Sequence, residues 1–176
     1  DARGRAILRK IALKSGPLGV AVSPDGKRVY ATLPFDRLLV EIDPERGATR
    51  ETAAGAMASG VAVTPDGKTI LVADREDNAI SLHDSASLAR IARIGVGAHP
   101  FGVTIDAAGA RAYTAIVESD DASVIDLAGR KVVQTVKTQS RPYTAALASG
   151  RLLVVNQHAD SVSVFDSATR APLGVV

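Results

Sequence analysis

Cysteine is absent from the 176 residues, which removes disulfides, thiolate metal sites and thiol nucleophiles together. Tryptophan is absent too, and aromatics make up only 3%, so neither a sugar-binding surface nor a base-stacking one is written into the chain. No apolar run reaches the 18 residues that a membrane-spanning helix needs. The Gly-X-Ser-X-Gly elbow, the His-Glu-X-X-His zinc motif, the phosphate loop and the calcium loop are all missing. Gly95-Val96-Gly97 opens like a dinucleotide fingerprint, but Pro100 stands where the final glycine belongs. These absences favour a non-enzyme and signal no cofactor and no metal.

Charge narrows the partner classes. The formal net charge is only +2. Arg3, Arg5, Arg9, Lys10 and Lys14 oppose a lone Asp1 in the first 14 residues, so the rest of the chain is slightly acidic. A nucleic-acid reader shows a basic stripe on a recognisable module; here the basic cluster reads as a solvated outer strand, and nucleic acid is disfavoured.

What is present is repetition. Asp1, Asp43, Asp84, Asp126 and Asp166 recur at spacings of 42, 41, 42 and 40 residues. Between them run Gly19-Val20-Ala21-Val22, Gly60-Val61-Ala62-Val63, Gly102-Val103-Thr104-Ile105 and Thr144-Ala145-Ala146-Leu147. Turns follow at Pro24-Asp25-Gly26 and Pro65-Asp66-Gly67, where proline presets φ, aspartate caps and glycine accepts a positive φ. A period near 40 made of short strands is the mark of a β-propeller blade array. The expected fold is therefore all-β, with four-stranded antiparallel blades over residues 15–56, 57–97, 98–139 and 140–176. Residues 1–14 align with the fourth strand of a blade and are expected to be the outer strand of a preceding one.

The Gly19–Tyr30 run and its copy from Gly60 to Leu71 resemble the YVTN family of β-propeller repeats, as do Tyr30-Ala31-Thr32-Leu33, Leu153-Val154-Val155-Asn156 and the strand endings Ser123-Val124-Ile125-Asp126 and Ser163-Val164-Phe165-Asp166. WD40 repeats are disfavoured, because their Trp-Asp signature cannot occur without tryptophan. The resemblance implies a ring of about seven blades, of which this chain carries about four. It also implies a bacterial periplasmic or extracellular scaffold, and places lactonases, haem-bearing and quinone-associated subunits among related propellers. A bare blade face of about 400 Å² would cost roughly 10 kcal/mol at ~25 cal per Å², so further blades or self-association are expected to close the ring. The chain opens at Asp1 with no leader-type apolar stretch, which reads as a leader removed or a piece of a longer polypeptide.

Function is expected on one face. Loops after the first and third strands repeat the same turn chemistry, whereas loops after the second strand differ in every unit: Pro34–Arg37, Asp74–Asn78, Val117–Asp121 and Gln157–Asp160. Variable loops on a rigid scaffold are where binding is placed. At the entries to the inner strands, His99 and Arg141 hold equivalent positions, with Phe101 and Tyr143 two residues on, and His158 shares the face. An arginine beside a histidine at a channel mouth suits a carboxylate or phosphate. The expected site is His99, Arg141, Phe101, Tyr143 and His158, binding a protein or a small anionic ligand. The alternative is a lactonase- or lyase-type enzyme working through His99, His158 and Arg141 with a bound cation, or a haem- or quinone-associated subunit. His83 aligns with Ile42, Ile125 and Phe165 and is expected to be a half-buried strand residue; the recurring aspartates are expected to be turn caps.

Overall fold

The computed structural model describes residue 4 and residues 6–176; Asp1, Arg3 and Arg5 lie outside them. Four separate antiparallel sheets, each of four strands, follow one another in chain order. The first blade is β1 (Val20–Val22), β2 (Val29–Leu33), β3 (Leu38–Ile42) and β4 (Thr49–Ala53). The second is β5 (Ala58–Val63), β6 (Thr69–Asp74), β7 (Ala79–Asp84) and β8 (Arg90–Gly95). The third is β9 (Pro100–Ile105), β10 (Arg111–Ile116), β11 (Asp121–Asp126) and β12 (Lys131–Lys137). The fourth is β13 (Pro142–Ala148), β14 (Arg151–Asn156), β15 (Ser161–Asp166) and β16 (Pro172–Val175).

Each blade is a meander because each connection is a tight turn with the right chemistry. Asp25 Oδ1 accepts the Lys27 N–H at 3.0 Å and the Ser23 hydroxyl at 2.6 Å, and Asp66 does the same with Lys68 and Thr64. Gly26 and Gly67 both take φ +73°, which only glycine adopts without strain. The recurring aspartates cap the turns after the third strands: Asp43 accepts the N–H groups of Glu45 and Arg46, Asp84 that of Ser87, Asp126 that of Gly129 and Asp166 that of Thr169.

The hydrophobic core lies between the blades rather than inside them. Tyr30 and Leu39 meet Val61, Ile70 and Val72 at the first joint. Leu71, Ile80 and Leu82 meet Ala112 and Ile125 at the second. Tyr113, Ala115 and Val124 meet Ala145, Leu152 and Val154 at the third. In the first three blades strands two and three are thus buried on both faces, which is why they read as unbroken apolar runs. The inner strands β1, β5, β9 and β13 lie side by side around the channel. Here backbone approaches backbone so closely that a Cβ on Gly60 would stand 2.4 Å from the Phe101 carbonyl oxygen, and one on Gly19 would stand 2.2 Å from that of Ser59.

The arc does not close on itself. Val20 and Val22 of β1 and Val155 of β14 remain exposed. Residues 6–13 form no strand; Ile11 and Leu13 pack on Ala31, Leu33, Val40 and Ile42, the face of blade one turned away from blade two. His83 is fully buried rather than half-buried: its imidazole meets the Leu88 carbonyl through Nδ1 at 3.1 Å and the Ser81 hydroxyl through Nε2 at 3.2 Å.

Candidate functional site

The variable-loop face is built on left-handed backbone. Met57, His99 and Arg141 end the connections that enter β5, β9 and β13, with φ of +52°, +60° and +49°. Non-glycine residues hold this region only where their surroundings fix them. For two of the three the fixing groups are visible. Asn78 Oδ1 accepts the His99 N–H at 2.9 Å and Asp120 Oδ1 accepts the Arg141 N–H at 2.8 Å. The His99 carbonyl in turn accepts the Val117 N–H and the Arg141 carbonyl accepts the Gln157 N–H. Each backbone is pinned by the neighbouring variable loop, which fixes where its side chain starts.

The two side chains are used differently. His99 lies between two carboxylates from separate loops, with Nδ1 2.9 Å from Glu118 Oε1 and Nε2 3.6 Å from Glu76 Oε2. Arg141 is exposed, and its guanidinium makes no hydrogen bond or ion pair among the described residues. His158, in a 3₁₀ turn over Gln157–Ala159, is exposed and likewise without a side-chain partner. Phe101 and Tyr143 do come together, with ring centroids 4.7 Å apart and planes tilted by 48°. Phe101 borders a shallow hollow of about 230 Å³ over the inner strands, whose walls include Leu18, Ser59 and Gly102. The structure therefore joins Phe101 to Tyr143, and sets His99 with Glu76 and Glu118 instead of with Arg141. Glu76 and Glu118 belong to the variable loops that follow β6 and β10. Among the described residues no group of three His, Asp or Glu side chains is arranged to hold a metal ion.

The opposite face holds a feature that the repeat could have revealed. Glu41 is buried at a place where the other blades carry Leu82, Val124 and Val164. Arg50, its cross-strand partner, donates to both carboxylate oxygens at 2.9 Å, and Arg28 Nε lies 3.5 Å away. Burial first, and then the Glu41 charge, push the Tyr30 phenol above its ordinary range. Arg50 also donates to the Ala86 carbonyl of blade two at 3.0 Å. The cluster floors a groove of about 440 Å³ between blades one and two, edged by Pro24 and Asp66. With its charges mutually satisfied it acts as a tie across the joint.

The fold recurs among solved structures. Hydrazine synthase of Kuenenia stuttgartiensis superposes with a TM-score of 0.88 at 23% identity, over 97% of this chain and 52% of that one. A functionally unknown protein of Desulfotomaculum acetoxidans gives 0.82 at 16%, over 93% and 56%. The protein U3-55K gives 0.83 at 16%, over 93% and 52%. At these identities the likeness is one of fold, and the chain spans about half the length of each. None of the curated proteins compared matches it. The description of the YNCE-like β-propeller family, by contrast, fits residues 4–174, nearly the whole of the repeat array. Its four meander sheets stacked around inner strands are the architecture that the family's description names, and the chain belongs to the YNCE-like β-propellers.

Proposed function

We propose that the chain is a non-catalytic binding module that docks a protein segment on its variable-loop face. The observation that carries this reading is the display of Arg141 beside the Phe101–Tyr143 pair, on backbone that the loops themselves hold rigid. Arginine and tyrosine are the side chains that anchor interfaces most often, and rigid presentation lowers the entropy lost on binding. Phe35, 78% exposed in the loop after β2, extends the same face. A protein partner is preferred to a small anion because His99 is flanked by Glu76 and Glu118, whose charges repel an anion at that point. The lactonase- or lyase-type alternative needs His99, His158 and Arg141 to converge, and His99 is engaged elsewhere. A bacterial cell-envelope location, periplasmic or extracellular, belongs to the same proposal and rests on the repeat resemblance alone.

Selection of a displayed peptide library on the immobilised protein tests the reading. Enriched peptides are expected to bind the wild type and to lose about 30-fold in affinity to Tyr143→Ala or Arg141→Ala, the effect of removing one strong anchor. Arg141→Ala should leave thermal unfolding unchanged, since its guanidinium has no internal partner. Peptides that bind the Arg141→Ala, Tyr143→Ala double variant as tightly as wild type would overturn the site.

A further inference from the structure

We propose that the groove between blades one and two binds a small zwitterion of the free amino acid class, with its carboxylate on Lys27 and Arg28 and its ammonium group at Asp25 and Asp66. The groove lies on the face opposite the variable loops, at an internal joint of the arc. Its floor breaks the rule that the other joints keep. Glu41 and Arg50 face each other across β3 and β4, where blade two has Leu82 and Ala92 and blade three has Val124 and Gln134. Arg28 likewise stands where the next blade has Thr69. The fold therefore has an uncharged solution for this joint and uses it elsewhere. Burying Glu41, 5% exposed, against an arginine gains no stability over that solution. Charge kept where stacking does not require it points to recognition.

The floor satisfies itself and leaves both signs unused above it. Arg50 donates Nε and Nη2 to the two Glu41 oxygens and Nη1 to the Ala86 carbonyl. Arg28 donates Nη1 to the Lys27 carbonyl and to Asp43. Arg28 Nη2 and Lys27 Nζ make no hydrogen bond among the described residues. Both residues line the groove, as do Asp25 and Asp66. These two carboxylates come from equivalent turns of adjacent blades, stacked so that a Cβ on Gly67 would stand 3.6 Å from Pro24 Cδ. Hydrogen bonds from Ser23 to Asp25 and from Thr64 to Asp66, and then from the turn N–H groups, hold both carboxyls below their ordinary range and charged.

Lys27, Arg28 and Arg50 balance Asp25, Glu41 and Asp66, so the groove is neutral as a whole. An anion alone meets the two rim carboxylates, and a cation alone meets the unpaired lysine and arginine. A molecule that carries both charges is the one that complements both. Room is available: the groove holds about 440 Å³, against about 290 and 270 Å³ at the two other joints, and small-molecule sites begin near 300 Å³.

Amide NMR of the protein, titrated with each free L-amino acid in turn, tests the site. At least one is expected to shift the amides of Gly26, Gly67 and Ser85 saturably. The amides of Phe101 and Tyr143 should stay in place, so a failure here leaves the variable-loop reading standing. Acetate and methylammonium, which carry the two charges separately, should each bind at least tenfold more weakly. Arg28→Thr, Glu41→Leu and Arg50→Ala together give the first joint the residues of the second. This triple variant should keep the wild-type strand circular dichroism and lose at least tenfold in affinity. Lys27→Gln, whose side chain makes no internal hydrogen bond, should lose about tenfold, the effect of removing one charge-assisted hydrogen bond. No saturable shift with any amino acid, or shifts confined to amides outside the groove, would overturn the proposal. Acetate or methylammonium binding as tightly as the best amino acid, or unchanged affinity in Lys27→Gln and the triple variant, would overturn it equally.

Discussion

Gly60 and Gly16 are the same residue in opposite circumstances. An added Cβ at Gly60 meets the Phe101 carbonyl oxygen at 2.4 Å, and the contact is backbone, which cannot swing aside. At Gly16 nothing lies within 4 Å. Gly60→Ala is therefore expected to cost about 3 kcal/mol, at the upper end of overpacking penalties. Gly16→Ala should be neutral or stabilise by about 0.5 kcal/mol through the unfolded chain; urea midpoints of the two variants check both. The same logic explains the one break in the series Gly19, Gly60, Gly102, Thr144. A side chain is admitted at Thr144, which is exposed and has no inner strand lying over it.

At the scale of the element, β6 and β7 hold two buried ionisable groups of opposite tendency. Burial pushes the Asp74 carboxyl above its usual range, against the opposing pull of the Ser81 hydroxyl and the Gly55 N–H. Burial likewise pushes the His83 imidazole below its ordinary 6.5, with the Leu88 carbonyl opposing. The signs follow from which state binds protons first. Folded Asp74 holds its proton more tightly than the unfolded chain does, so ionisation costs stability at neutral pH and the cost fades as pH falls into the carboxylate range. Folded His83 takes a proton less readily than the unfolded chain, so stability is lost as pH drops below about 6.5. Asp74→Asn should stabilise at pH 7 and lose its advantage in acid; Asn156 already occupies the same place in blade four. His83→Ile, made in the Asp74→Asn background because Ser81 couples the pair, should flatten the slope of stability between pH 7.5 and 5.5. The strands bearing these groups were legible because their apolar runs and Pro-Asp-Gly turns repeat in register, and the turn-capping aspartates were legible for the same reason. The His99 contacts were not. Glu76, His99 and Glu118 come from three loops, and only the stacking of blades two and three decides which side chains meet. Glu41 escaped for a different reason: a charged residue in an amphipathic strand reads as solvent-facing until it is compared with Leu82, Val124 and Val164.

At the scale of the whole molecule, stability is a sum over joints, because each blade touches only its neighbours. Leu71 and Leu153 are equivalent residues that make this visible. Leu71 is fully buried in the second joint, so Leu71→Ala should cost about 3 kcal/mol, as cavities of that size do, at every protein concentration. Leu153 lies on the free face of blade four and has no such joint within the chain. In an isolated arc Leu153→Ala should cost well under 1 kcal/mol, as substitutions away from a packed core do. Urea midpoints of both variants separate a residue that holds two blades together from one on an uncovered face. The difference between the two midpoints measures what one covered blade face contributes to the stability of the arc.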